Sequence, residues 1–164
     1  MKKLMPVGVS DFKKLRESNY YFVDKTFFIK DIIDNKSEVM LFARPRRFGK
    51  TIIMSMIKYY FSLEDNESNK NLFFGLQIAN AENKYIEEQG KYPVIFLTMK
   101  DIKLSNWSEC YDKLCSMMSD EYSRLSYILD SDALQKDEKS FFLNIINKTA
   151  VYEQEIINQL SKRC

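Results

Sequence analysis

The sequence contains no histidine, and that absence alone excludes several kinds of catalytic site. Ser-His-Asp and Cys-His nucleophilic sites are excluded, because both need an imidazole as the general base. Zinc sites that include histidine, and proton shuttles that depend on its near-neutral pKa, are excluded as well. Any chemistry in these 164 residues therefore depends on side chains other than imidazole, or on backbone groups.

The chain also has few cysteines and a small net charge. The three cysteines, Cys110, Cys115 and Cys164, form no C-x-x-C pair, and their odd number favours a reducing, cytoplasmic setting over a disulfide framework. The formal net charge is only +2, too small to indicate nucleic-acid binding from bulk electrostatics. No apolar run approaches the length of a membrane span, and the first residues carry no apolar signal region. We therefore expect neither a membrane partner nor a secretion signal.

Glycine is rare too, with four in the chain, and one of them stands directly before Lys50. The stretch at 44–51, RPRRFGKT, ends in Gly-Lys-Thr as a phosphate-binding P-loop does. Its start differs, because the pattern G-x-x-x-x-G-K-(S/T) has glycine where this chain has Arg44. Pro45 restricts Arg44 to extended conformations, so this loop is stiffer and more cationic than the usual one.

The setting of the loop agrees with a P-loop. Residues 38–43, EVMLFA, form a short apolar run that predicts a buried strand. From Gly49 onward apolar residues recur at helical spacing, which predicts a helix to about Ser62. At such a helix start the backbone N–H groups and the lysine hold phosphates, and the Ser/Thr hydroxyl binds magnesium. The spacing therefore favours Gly49 and Lys50 as phosphate-binding residues and Thr51 as a ligand of Mg²⁺. The alternative is a helix N-terminus that follows a solvated basic loop without binding phosphate.

The remaining pattern predicts an α/β protein. Residues 93–99, PVIFLTM, form a second strand-like run, and the long connection between the two runs suits a right-handed parallel crossover. Beyond it the chain is predicted to be helical, with apolar stripes at 106–129 and 149–163. We therefore predict a partial P-loop NTPase-like fold, with a short parallel sheet, flanking helices and a helical C-terminal half. Two strands alone make an incomplete sheet.

Two shorter helices are predicted ahead of the loop. Residues 10–18 favour a helix capped by Ser10 or Asp11. A second helix follows Asp24-Lys25-Thr26, and Asp24 or Thr26 is suited to be its N-cap. The alternative is a role for this triplet beside a nucleotide, and the sequence does not decide between the two.

Four stretches resemble the AAA-ATPase-like family: YYFVDKT at 20–26, LFARPRRFGKT at 41–51, LFFGLQIA at 72–79 and YPVIFLTM at 92–99. Members of that family have an R-P-R-R-F-G-K-(S/T) form of the Walker A loop, in which an arginine replaces the first glycine. The resemblance implies a single ATP-binding domain over 1–164 with ATP and Mg²⁺ as cofactors. The residues it implies at the nucleotide are Arg46, Arg47, Phe48, Gly49, Lys50 and Thr51, with Thr51 on the metal.

The acid that ATP hydrolysis requires is missing from the expected place. In P-loop enzymes a carboxylate that holds magnesium follows a buried strand. The local candidate is Asp101, which is better interpreted as an ordinary residue at the end of a strand. In the family a strand ending in Asp-Glu lies beyond a helix like the one at 149–163, so the resemblance implies a domain truncated before this Walker B strand, with weak or absent hydrolysis. Longer relatives often carry a PD-(D/E)XK nuclease-like domain, which these residues do not show.

Two other functions remain open from the sequence. The cluster of Arg44, Arg46, Arg47 and Lys50 is suited to nucleic-acid phosphates, and such binding would weaken steeply with salt. The missing acid and the incomplete sheet would also fit a non-functional gene remnant. The sequence does not distinguish ATP from GTP, and it does not indicate an oligomeric state.

Overall fold

The computed structural model describes residues 3–43, 45, 48–100, 102 and 105–149. The chain divides into two compact units, Met1–Val94 and Ile95–Cys164. Several residues singled out from the sequence lie outside the described part. They are Arg44, Arg46, Arg47, Asp101 and all but the first residue of the helix predicted at 149–163.

The first unit is built from short helices. In its described residues these are α1 (Phe12–Glu17), α2 (Phe28–Asn35), α3 (Lys50–Phe61), α4 (Asn66–Leu72) and α5 (Asn83–Ile86), with a 3-10 helix at Gln77–Asn80. Asp11 caps α1, because its carboxylate accepts the N–H of Lys14 at 2.8 Å. The helices predicted at 10–18 and after Gly49 are thus confirmed, the first of them with one of its two proposed caps.

An aromatic cluster forms the core of the first unit and joins α1 to α3. Phe12, the first residue of α1, is fully buried. Its ring centroid lies 5.4 Å from that of Phe22 and 5.1 Å from that of Phe73. Tyr60 of α3 packs edge-on against the same Phe73 at 5.0 Å. This packing fixes α3, and with it the start of that helix, relative to α1.

The predicted α/β fold with a short parallel sheet is wrong for the described residues. Neither 38–43 nor 93–99 is a strand, and the strand-like pairing in the described part is an isolated parallel bridge between Ser62 and Tyr92. Val39 and Leu41 are 85% and 89% exposed, whereas a buried parallel strand must be covered on both faces. An apolar run reports a local preference, but pairing depends on partners distant in sequence, and here those partners are not assembled.

The second unit is also helical in its described residues. It contains α6 (Trp107–Arg124) and α7 (Lys136–Ile146), with a 3-10 helix at Ser126–Asp130 between them. The two long helices pack together, with the ring centroids of Tyr122 and Phe142 4.6 Å apart. Trp107 lies within the apolar stripe predicted at 106–129 but is 72% exposed, and the buried positions of α6 are Cys115 and Ser119.

Candidate functional site

The start of α3 has the geometry of an anion-binding helix terminus. Gly49 precedes the helix with a left-handed backbone, φ 74° and ψ 16°, and no side chain caps the helix there. Glycine adopts this conformation without the strain that a Cβ would add. The N–H groups of the first helical turn have no carbonyl partner within a helix, and the helix dipole favours negative charge at that end. The Gly-Lys-Thr triplet therefore stands at a helix start that suits a phosphate.

Lys50, the first residue of α3, turns back over the loop that precedes it. Its ammonium group donates a hydrogen bond to the carbonyl of Pro45 at 3.0 Å. A phosphate oxygen is a stronger acceptor for an ammonium than a neutral carbonyl is, because the bond is then charge-assisted on both sides. The side chain is thus held where an anion in the loop could take over this hydrogen bond.

A cavity of about 800 Å³ lies beside this helix start. Its lining comes from residues 49–52 and from residues 6–10, which we name the N-terminal wall. The volume lies within the range of small-molecule binding sites. Lys50 and Thr51 both border this space, so the residues predicted to meet phosphate and magnesium share one cavity. Phe48 is 60% exposed beside them, and the predicted contacts Arg46 and Arg47 lie outside the described residues.

A second, smaller cavity of about 250 Å³ also reaches Lys50. Its other lining residues are apolar: Phe28, Met40, Phe42, Ile53 and Met54. Phe28 and Phe42 are in edge-on contact, with ring centroids 4.8 Å apart. Among the described residues, Lys50 is the polar group in this lining, whereas the larger cavity also has Thr51 and Ser10.

Sequence reasoning missed the N-terminal wall. Its residues, PVGVS, carry no charge and match no motif, so only the folded chain reveals that they line the cavity. Two hydrogen bonds between α1 and α3 bring them there. The N–H of Phe12 donates to the hydroxyl of Ser55 at 2.9 Å, and the hydroxyl of Tyr59 donates to the carboxylate of Asp11, also at 2.9 Å. Burial, and then the hydrogen bond to Asp11, raise the pKa of Tyr59 to about 12, so it remains a donor at neutral pH.

Asp24 and Thr26 do not cap α2, and the N-cap prediction for them is wrong. The N-cap is Phe27, with no side-chain hydrogen bond. Asp24 accepts the N–H of Gln77 at 2.8 Å, and the hydroxyl of Thr26 accepts the N–H of Ile78 at 3.2 Å. Thr26 also donates its own N–H and hydroxyl to Asp24, at 2.9 and 2.7 Å. These contacts fasten the triplet to the start of the 3-10 helix, which is a structural role.

Among the residues that the structure describes, no group of three or more cysteine, aspartate or glutamate side chains is arranged to hold a metal ion. Of the described residues that line the cavity, Thr51 offers a hydroxyl oxygen, which is a type of ligand that Mg²⁺ accepts. Within the same residues, no helix combines the length and apolar character needed to cross a membrane.

A family model described as a predicted AAA-ATPase matches residues 6–159. The match extends over both compact units, and it includes the N-terminal wall as well as the Gly-Lys-Thr helix start. No curated protein and no solved structure matches the chain. Because the model covers most of the sequence and agrees with the resemblance carried by RPRRFGKT, the chain belongs to the AAA-ATPase-like family.

Proposed function

We propose that the cavity beside α3 binds ATP or ADP together with Mg²⁺. The observation that carries the proposal is that Gly49, Lys50 and Thr51 border one cavity of about 800 Å³ at the start of a helix. A helix start supplies N–H donors and a favourable dipole for phosphate. Membership of a family described as predicted AAA-ATPases supports ATP as the nucleotide.

Each residue of the triplet has a distinct role in this proposal. Gly49 allows the backbone to turn so that the N–H groups beyond it face the phosphates. Lys50 exchanges the Pro45 carbonyl for β- and γ-phosphate oxygens, and Thr51 offers its hydroxyl to Mg²⁺. Arg46 and Arg47 remain proposed phosphate contacts on the basis of the sequence.

Nucleotide binding with little turnover is the expected behaviour of these residues. Hydrolysis requires a carboxylate that holds magnesium near the attacking water. Among described residues, the lining of the cavity contains no carboxylate. We therefore propose a nucleotide-binding AAA-ATPase-like domain over 1–164 in which hydrolysis is weak.

Calorimetric titration of the full chain with Mg·ATP tests this proposal. Lys50→Ala should weaken binding by at least about tenfold, because a charge-assisted hydrogen bond is worth about 1.5–3 kcal/mol. Lys58→Ala is the matched control, since it removes the same charge from the same helix two turns further on. Equal affinity of Lys50→Ala and Lys58→Ala for Mg·ATP would refute the proposal.

A second variant distinguishes the contribution of Mg²⁺ binding from that of phosphate binding. Thr51→Val keeps the shape of the side chain but removes its hydroxyl. It should weaken ATP binding in the presence of Mg²⁺ and leave binding in EDTA unchanged. An equal loss in both buffers would contradict the role of Thr51 as a magnesium ligand.

A further inference from the structure

We infer that the N-terminal wall contacts the nucleoside part of the ligand, and that Ser55 is the positioning residue that holds this wall beside Lys50 and Thr51. The inference rests on the proposed nucleotide site and deepens it by dividing the cavity into two parts. The first part is the phosphate end at the start of α3. The second is the uncharged surface formed by residues 6–10.

A polar stripe on α3 connects the two parts. Thr51, Ser55 and Tyr59 are spaced by four residues, so they share one face of the helix. Thr51 borders the cavity, Ser55 accepts the N–H of Phe12, and Tyr59 donates to Asp11. The same face that begins at the phosphate end therefore ends at the anchor of α1.

Ser55 is the more constrained of the two anchors. Its side chain is 4% exposed, and its hydroxyl both accepts from Phe12 and donates to the carbonyl of Ile52, each at 2.9 Å. Phe12 is the first residue of α1, so its N–H has no acceptor within that helix. Ser55 supplies this acceptor in a buried place, where an unsatisfied N–H would be costly.

The wall is fixed at both of its ends. At one end Phe12 is anchored to Ser55, and only Asp11 separates Phe12 from Ser10, the last wall residue. At the other end the carbonyl of Leu4 accepts the N–H of Tyr21 at 2.8 Å. A segment of five wall residues held in this way has a defined course past the start of α3.

The two parts of the cavity differ in charge, and a nucleotide differs in the same way along its length. The wall offers proline, valine and glycine surface, backbone polar groups and one serine hydroxyl, all uncharged. The start of α3 offers the Lys50 ammonium and a helix N-terminus, which attract anions. Phosphates are therefore favoured at α3, while an uncharged aromatic base and ribose are favoured at the wall.

Two ligands that both contain a triphosphate distinguish the role of the N-terminal wall from that of the phosphate end. Mg·ATP and Mg·tripolyphosphate both carry three linked phosphates, but only ATP carries a nucleoside. Calorimetric titration of the full-chain Ser55→Ala variant should show about tenfold weaker binding of Mg·ATP, in line with the loss of one buried hydrogen bond. Binding of Mg·tripolyphosphate should stay within about twofold of wild type, a split that general loss of structure would not produce.

Two further variants keep the test decisive. Ser119→Ala removes a buried serine hydroxyl in the second unit, one that donates to the carbonyl of Ile146 at 2.6 Å, and serves as the control for destabilisation. Val7→Ala changes a wall side chain that is 90% exposed, so the fold is retained even if Ser55→Ala unfolds. Val7→Ala should weaken Mg·ATP about threefold and leave Mg·tripolyphosphate unchanged, because only apolar contact with the nucleoside is lost.

The outcomes are distinguishable from failure of the nucleotide site itself. Equal losses for both ligands in Ser55→Ala and Val7→Ala, or no loss for either, would overturn the role of the wall while leaving the phosphate end in place. If Lys50→Ala binds both ligands as tightly as wild type, the phosphate end is wrong, and the inference falls with the proposed function.

Discussion

The carboxylate of Asp24 accepts the backbone N–H of Gln77 at 2.8 Å, although 53 positions of sequence separate the two residues. The fully buried hydroxyl of Thr26 does the same for the next N–H, that of Ile78. Together the two side chains supply acceptors to the first N–H groups of the 3-10 helix, which the helix itself cannot satisfy. Asp24 and Thr26 thus hold two distant parts of the first unit together.

Replacing Thr26 should destabilise the first unit. Thr26→Val preserves the shape of the side chain but leaves the buried N–H of Ile78 without its acceptor, so the free energy of unfolding should fall by about 1–3 kcal/mol. Urea denaturation followed by circular dichroism measures this change. Lys25→Ala, an exposed neighbour in the same triplet, should stay within about 0.5 kcal/mol of wild type. Equal effects of the two substitutions would contradict the structural role of Thr26.

Two left-handed glycines should respond differently to alanine. Gly49 and Gly90 have φ of 74° and 71°, so alanine at either adds about 1–2 kcal/mol of backbone strain. At Gly49 no atom of the described residues lies within 4 Å of the added Cβ, whereas at Gly90 the Cβ would overlap the side-chain amide of Asn66. Gly90→Ala should therefore cost about 1–3 kcal/mol more than Gly49→Ala in urea denaturation, since overpacking adds to strain.

A double substitution checks the source of that difference. In a background of Asn66→Ala the overlap at position 90 is removed, so adding Gly90→Ala should then cost about as much as Gly49→Ala. If Gly90→Ala remains more damaging without the Asn66 amide, steric overlap is not the reason.

The free energy of unfolding should fall at alkaline pH, because the phenol of Tyr60 then ionises. Burial, with a contribution from the charge of Glu88, raises the pKa of Tyr60 from 10.0 to about 12. A group whose pKa is higher in the folded state gives stability that is complete below its unfolded pKa and is lost as pH rises through its folded pKa. The contribution of Tyr60 is therefore complete below pH 10 and is lost between pH 10 and about 12.

Urea denaturation at several pH values measures this loss. Tyr60→Phe is less stable at neutral pH, because its hydroxyl no longer donates to the carbonyl of Tyr85 at 2.9 Å. Its decline in stability between pH 10 and 12 should nevertheless be shallower than that of wild type. Parallel declines in wild type and Tyr60→Phe would count against the role of Tyr60.

The parts of the fold that the sequence predicted are those with local signals. The cap of α1 was predicted to be Ser10 or Asp11, and the structure has Asp11; α3 was predicted from the apolar spacing after Gly49. The prediction of a parallel sheet was wrong because the apolar residues at 38–43 indicate an extended chain but do not indicate which strand would pair with it. Extended residues become a sheet only when other strands are assembled beside them.

The candidate site likewise contains residues that a local sequence pattern predicts and residues that it does not. The Gly-Lys-Thr triplet is contiguous, so its place at a helix start could be foreseen, and its contact with phosphate remains a prediction. The N-terminal wall is placed beside the cavity by hydrogen bonds from Phe12 to Ser55 and from Tyr59 to Asp11, across 43 and 48 positions of sequence. No local pattern marks such residues, because their partners are chosen by the packing of α1 on α3.

The long-range hydrogen bonds of the first unit determine the order in which its parts can be joined as the chain is synthesised. Arg16 is bound to the carbonyl of Leu72, Asp24 to Gln77 and Asp34 to Tyr85, over separations of 56, 53 and 51 positions. A growing chain makes each first partner long before its second. The backbone hydrogen bonds of each helix join neighbouring residues, but the attachment of one helix to another requires closure of loops of about fifty residues. Arg16, Asp24 and Asp34 can therefore be secured only after residues more than fifty positions further along the chain have been synthesised.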